Sequence, residues 1–203
     1  MIAKREIVMK SNPSLLEADD STLIVIDVQD KFLQRLDGKV AARVVGRIEW
    51  LVQVANWLQV PTVVTAEEID AMGPTTDAIR RWLPDDNPDM DKLVFGLAGQ
   101  VDILERVDEI GRKTTVLAGL ETDVCVSQSA IGLAAAGYRV AVVADACASP
   151  EDGHAHGLDR MRDAGIAVIS TKGLFFEWVR DVEKCHEFFR NSGIGTPKDL
   201  YIG

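Results

Sequence analysis

The chain alternates short, unbroken apolar runs with stretches in which apolar residues recur every three or four positions. Runs of the first kind fall at 23–26, 62–65, 92–95, 114–118, 140–144 and 166–169. They are rich in Val and Ile and do not alternate with polar residues, the pattern of parallel strands covered on both faces. The clearest stretch of the second kind is 40–58, where Val40, Val44, Val45, Ile48, Leu51, Val52, Ala55 and Leu58 fall on one helical face. Pro61 closes that helix and opens the next strand. Strand and helix in alternation predict an α/β fold: a three-layer α/β/α sandwich with a mostly parallel six-stranded sheet over 21–203, preceded by an N-terminal arm over 1–20.

Composition narrows the class. Of 203 residues 47% are hydrophobic and 27% charged, so the chain has the means to bury a core. Lys and Arg number 22 against 32 Asp and Glu, and the net charge of -10 repels nucleic-acid phosphates and anionic bilayer surfaces. Neither is expected as a partner; a small-molecule substrate is. The longest charge-free stretch of the apolar centre, 124–138, is shorter than the about 20 residues of a membrane span and includes Ser127, Gln128 and Ser129. The N-terminus scatters its charges and does not read as a secretory signal. Cys125, Cys147 and Cys185 form no CxxC pair, which argues against a disulfide framework or a thiolate zinc site and fits a cytoplasmic protein.

Charged residues gather after the predicted strands, and in an open parallel sheet the carboxyl ends of the strands are where ligands bind. Asp27 follows the first strand, Glu67 and Glu68 the second, Glu121 to Cys125 the fourth and Asp145 the fifth, while Lys92 opens the third. The segment 114–138 reads as strand, turn and helix, with Thr122 or Asp123 available as the cap and Cys125 in the first helical turn. There the helix dipole lowers a thiol pKa toward neutrality, and the sulfur attacks carbonyl carbon. A cysteine also serves as a small buried apolar residue, Asp27 as a turn cap, and Lys92 as an exposed strand-start lysine; residue type and position alone leave both readings open for each.

The segments IVIDVQDKF around Asp27, KLVFGLAG from Lys92, AGLETDVCV ending just past Cys125, GYRVAVVADACAS, and HGLDRMRDAGIAVIS resemble the isochorismatase-like cysteine hydrolase superfamily, which includes nicotinamidases and carbamoylsarcosine amidases. The resemblance runs from about Ser21 to Trp178. It implies a Rossmann-like sandwich, a catalytic triad of Asp27, Lys92 and Cys125, and amidase-type cleavage of a carbon–nitrogen bond through a thioester. It further implies a cis peptide at Leu120–Glu121 and an oxyanion hole built from the backbone amides of Glu121 and Cys125. Assembly into a homo-oligomer is implied as well. The region TAEEIDAMGPTTD has no histidine where metal-dependent nicotinamidases carry theirs, so neither metal nor cofactor is expected, and the presence of Cys125 argues against isochorismatase proper. His154 and His156, two residues apart, read as surface or helix-start residues.

Around this centre Glu67 or Glu68 is expected to face the substrate, and Phe32, Trp82 and Phe95 are candidates to wall its pocket. Cys147 reads as a structural thiol or as a redox partner for Cys125, and Asp145 as a turn or cap residue beside the site. The C-terminal segment 175–189, dense in Phe, Trp and Val, suggests a subunit interface.

Overall fold

The computed structural model describes residues 14–202. Six strands run β1 (Ser21–Ile26), β2 (Thr62–Glu67), β3 (Met90–Lys92), β4 (Thr114–Leu120), β5 (Arg139–Ala148) and β6 (Ala167–Ile169). They form one sheet in the order β3-β2-β1-β4-β5-β6, and every neighbouring pair is parallel. The helices are α1 (Asp30–Leu33), α2 (Gly38–Leu58), α3 (Ile69–Met72), α4 (Asp77–Arg80), α5 (Val101–Ile110), α6 (Ser127–Ala135), α7 (Gly153–Asp163), α8 (Thr171–Val179) and α9 (Val182–Asn191).

Both faces of the sheet are covered because successive side chains of a strand point to opposite sides. Leu23 and Val25 of β1 join a cluster with Val116, Ala118, Ala141 and Val143, sealed by α2 through Val44, Ile48 and Leu51 and by Phe175, Trp178 and Phe188. Ile24 and Ile26 join the opposite cluster with Val63, Leu117 and Val142, sealed by Ile103 and Val107 of α5, Ala130 and Leu133 of α6, and Met161 of α7. Each fully buried Val, Leu or Ile contributes about 1.5–3 kcal/mol, so the unalternating runs are the main source of stability.

Several boundaries differ from the sequence reading. Asp37 starts α2 two residues early, its carboxylate accepting from the amides of Lys39 and Val40, and left-handed Gln59 ends it before Pro61. The third strand is Met90–Lys92, not 92–95: Leu93 and Phe95 are exposed, so the apolar run lies beyond the sheet and Lys92 ends its strand. The fifth strand continues through Asp145, which is therefore not a turn residue and serves the start of α8. Its carboxylate accepts from the Thr171 amide and hydroxyl and pairs with Arg47 at 3.4 Å.

The C-terminal aromatics are largely spent inside their own chain. Phe175, Trp178 and Phe188 are buried, with Phe175 5.2 Å from the Trp50 ring and Phe188 5.2 Å from that of Trp57. Phe176, Val182 and Phe189 remain exposed. Of the expected arm, residues 1–13 lie outside the described residues; the rest docks on its own domain, with Leu16 in the core and Glu17 paired to Arg180 at 2.6 Å. Among the described residues no helix is long and apolar enough to cross a membrane.

Gly119 holds β4 against β1 at the end that matters for the site. Its φ is +137°, and a Cβ there would lie 2.0 Å from the Ile26 carbonyl oxygen. The obstacle is backbone next to Asp27, so it cannot swing aside as a flexible side chain would. Gly119→Ala is therefore expected to lose about 4 kcal/mol or more of unfolding free energy in chemical denaturation; a midpoint equal to wild type would refute this account of the β1–β4 contact.

Candidate active site

The strand register assembles the site. Glu67 ends β2 and Lys92 ends β3, and the two are register partners. Asp27 leaves β1 with a left-handed φ of 53°, its amide donating to the Thr65 carbonyl at 3.0 Å and its Oδ1 accepting from the Thr65 hydroxyl at 3.0 Å. Beyond β4 the Leu120–Glu121 peptide is cis, and a π-helical turn, Thr122–Val126, carries Cys125 into α6. Four adjacent strands thus deliver one group each to their carboxyl ends.

The centre of the cluster is an ammonium group. Lys92 Nζ lies 3.0 Å from Asp27 Oδ2, 3.2 Å from Glu67 Oε2 and 3.7 Å from Cys125 Sγ, and donates to the Val94 carbonyl at 2.7 Å. Lys92 and Asp27 are buried, whereas the Glu67 side chain keeps 20% exposure. Cys125 Sγ donates to Glu67 Oε2 at 3.4 Å. Asp27, Glu67 and Cys125 present potential metal-ligand atoms within 4.8 Å of one another. The chain's own ammonium contacts all three, so it supplies the positive charge that these donors would otherwise draw from a metal ion.

Burial and charge set the protonation states. Burial depresses the Lys92 pKa, but Asp27, Cys125 and Glu67 overcome it, and the net direction is upward, which keeps the ammonium charged. Burial pushes the Asp27 carboxyl above its ordinary value, against the pull of Lys92 and of hydrogen bonds from Lys92, Thr65 and Cys125. The Cys125 thiol rises well above its usual value through burial first and then through Asp27 and Glu67, with Lys92 opposing. This overturns the expectation of a thiolate sustained by the helix dipole. Two carboxylates stand beside the sulfur, and desolvation plus like charge exceed what peptide dipoles give back.

The π-helical turn is held without a side-chain cap, contrary to the reading of Thr122 or Asp123 in that role. Thr122 Oγ1 instead lies 2.9 Å from His154 Nδ1, and Asp123 Oδ1 accepts from the Ser149 hydroxyl at 2.6 Å. Gly157 of α7 lets that helix lie flat on the turn, since a Cβ there would come within 2.7 Å of the Asp123 backbone. His154 is thus a half-buried residue of the loop's support, its pKa lowered by burial and by Arg43 and Arg162, while His156 is exposed.

The other candidates divide. Glu67 faces the centre; Glu68, in a left-handed turn, is exposed and does not. Phe95 is exposed at the rim, its ring centroid 6.0 Å from Lys92 Nζ. Phe32 is buried in the core, with the Arg35 guanidinium 4.7 Å over its ring and reaching Glu121 at 3.4 Å. Trp82 is spent on α2, where it donates to Glu49. Cys147 is a buried strand residue whose thiol burial pushes up to about 12, the environment of a packed apolar side chain.

Gln29 was not singled out from the sequence and proves central. Fully buried, it accepts from the Glu67 amide at 2.8 Å and donates to the carbonyls of Glu67 at 2.9 Å and Gly73 at 2.6 Å. Its one sequence signal is an amide side chain two residues past Asp27, directly after a wholly apolar run.

Comparison with known proteins agrees with this architecture. The Pseudomonas aeruginosa protein YcaC, solved with hexane-2,5-diol and covalent acrylamide, superposes with a TM-score of 0.80 at 22% identity, covering 90% of this chain and 92% of that one. The Escherichia coli YcaC gene product, described as an octameric hydrolase of unknown specificity, gives 0.78 at 23% identity, covering 91% and 93%. In sequence, a Phytophthora sojae protein described as the secreted isochorismatase effector Isc1 is 33% identical over 166 residues, 79% of this chain and 78% of that protein. The isochorismatase domain model matches residues 21–173, a span that holds all six strands and the four groups at their ends, and the chain therefore belongs to the isochorismatase family of hydrolases.

Proposed function

We propose that the protein is a cysteine hydrolase that cleaves the carbon–nitrogen bond of a small amide-like molecule through a thioester. The observation that carries this reading is one buried ammonium within 3.7 Å of a thiol and within 3.2 Å of two carboxylates. In the resting site the sulfur keeps its proton. When a carbonyl carbon comes within reach, Asp27, whose raised pKa makes it a better base than an ordinary carboxylate, takes that proton as the S–C bond forms. Lys92 stays beside the single negative charge as it passes from Asp27 to the sulfur side. The backbone amides of Glu121 and Cys125 receive the developing oxyanion, a role in which losing one donor typically costs about 3 kcal/mol. The C–N bond breaks with the proton returned from Asp27 to the leaving nitrogen, and water then attacks the thioester by the same steps. The chain is also proposed to act as a homo-oligomer, a reading supported by the octameric Escherichia coli neighbour and by exposed Leu93 and Val101.

Cys125→Ala abolishes ammonia release from any amide or carbamoyl compound that the wild type turns over. It moves the thermal midpoint by less than about 4 °C, since little packing is lost. Full turnover by this variant would remove the covalent step. Because the thiol pKa is raised, its thiolate fraction at neutral pH is below that of a free cysteine. The rate of Cys125 alkylation by iodoacetamide should therefore start low at pH 7 and climb about tenfold per pH unit through pH 9. A plateau near pH 7 would contradict the resting thiol. Asp27→Asn separates base from nucleophile: with one opposing charge gone alkylation quickens, while turnover collapses. Equal alkylation rates in variant and wild type would take Asp27 out of contact with the sulfur. Light scattering should give a mass several times 22.2 kDa, and a monomeric mass would refute assembly.

A further inference from the structure

Glu67 is the one charged group of the centre to which the proposed mechanism gives no role, and its position differs from that of Asp27 in one decisive way. Asp27 is closed off from solvent, whereas the Glu67 carboxylate is on the open side, partly exposed and 3.4 Å from the sulfur. Of the three charged groups at the centre, Glu67 has the most exposed side chain, at 20%.

Its contacts with Lys92 and Cys125 both run through Oε2, which leaves Oε1 as an acceptor without a partner among the described residues. The main chain of Glu67 is clamped on both sides by the buried Gln29 amide, so the carboxylate is presented from a fixed backbone. The centre holds one ammonium against two carboxyl groups, and of those two only Glu67 is open to solvent. Arg35, which reaches the residue after the cis peptide, is already matched by Glu121. At the rim the half-exposed ring of Phe95 offers a face to a positive group.

We infer that Glu67 is the specificity-determining residue of the site and that the substrate carries a cationic N–H group, an ammonium or amidinium, beside the carbon that Cys125 attacks. The inference rests on the reading of Cys125 as the nucleophile. Oε1 accepts from the cationic N–H, so the open carboxylate gains a second positive partner when the substrate docks. An anionic substrate meets repulsion at a few ångströms in a partly dry pocket, where a single charge is worth more than a tenfold change in rate.

The test uses the sulfur as its own reporter. Cys125 is modified with 2-aminoethyl methanethiosulfonate, which is cationic, and with 2-sulfonatoethyl methanethiosulfonate, which is anionic, and the rates are read from the mass of the Cys125 peptide. The cation-to-anion ratio, divided by the same ratio for N-acetylcysteine, should exceed about tenfold in the wild type and fall by at least about tenfold in Glu67→Gln. In 1 M salt, which screens the overall charge of -10, the wild-type ratio should persist, because a charge held inside the pocket is poorly screened. A ratio near one overturns the inference, as does a ratio that survives Glu67→Gln or vanishes in salt. If Glu67→Gln does not fold, the salt series on the wild type decides alone. These outcomes are independent of the fate of the covalent step, which Cys125→Ala decides through turnover.

Discussion

A buried ammonium is tolerated only where opposite charge and acceptors surround it, and that requirement organises this molecule around Lys92. The effective cost of drying one ion is several kcal/mol, and removing one partner of a buried pair costs about 3–5 kcal/mol. Asp27, Glu67 and the Val94 carbonyl meet that requirement here, each at 3.2 Å or less. Asp27, Glu67 and Lys92 sit at the ends of neighbouring strands, so the ion cluster forms only when β1, β2 and β3 are in register. Site and sheet edge therefore stabilise each other.

The same cluster decides the state of the sulfur. A cysteine at the start of a helix is ordinarily read as an activated thiolate, yet here the sulfur shares its neighbourhood with two carboxylates and is almost wholly removed from water. The ammonium is already engaged with both acids, so it cannot fully offset them at the thiol. On the proposed reading this is an advantage for chemistry on demand: the thiol is unreactive until a carbonyl carbon arrives, and the proton has a base of raised affinity within reach.

Position in this site depends on backbone approach as much as on side chains. Gly119 lets β4 press against Ile26, which sets the distance between the Asp27 strand and the loop that carries Cys125. Gly157 does the same for α7 against that loop, and the pairs Thr122 with His154 and Asp123 with Ser149 tie the loop down from the far side. Gln29 links the β1 exit to the β2 exit, so the closed carboxylate of Asp27 and the open carboxylate of Glu67 belong to one braced unit.

The sequence by itself determined what local pattern and residue chemistry can express. The unalternating apolar runs imply a sheet buried on both faces, the spacing along α2 its helical face, and the segments around Asp27, Lys92 and Cys125 the family. It did not distinguish Glu67 from Glu68, because adjacent residues at a strand end diverge only once the left-handed turn at Glu68 is formed. It misplaced the third strand, since Leu93–Val94–Phe95 is the more apolar run while the parallel partner of β2 is the polar Met90–Lys92. It assigned the aromatic tail to an interface, since a linear pattern cannot show that Trp50 and Trp57 on α2 wait for it. The charge state of the sulfur was decided by tertiary structure alone: the helix dipole is a local property, whereas desolvation and the two carboxylates arrive from strands far apart in the chain.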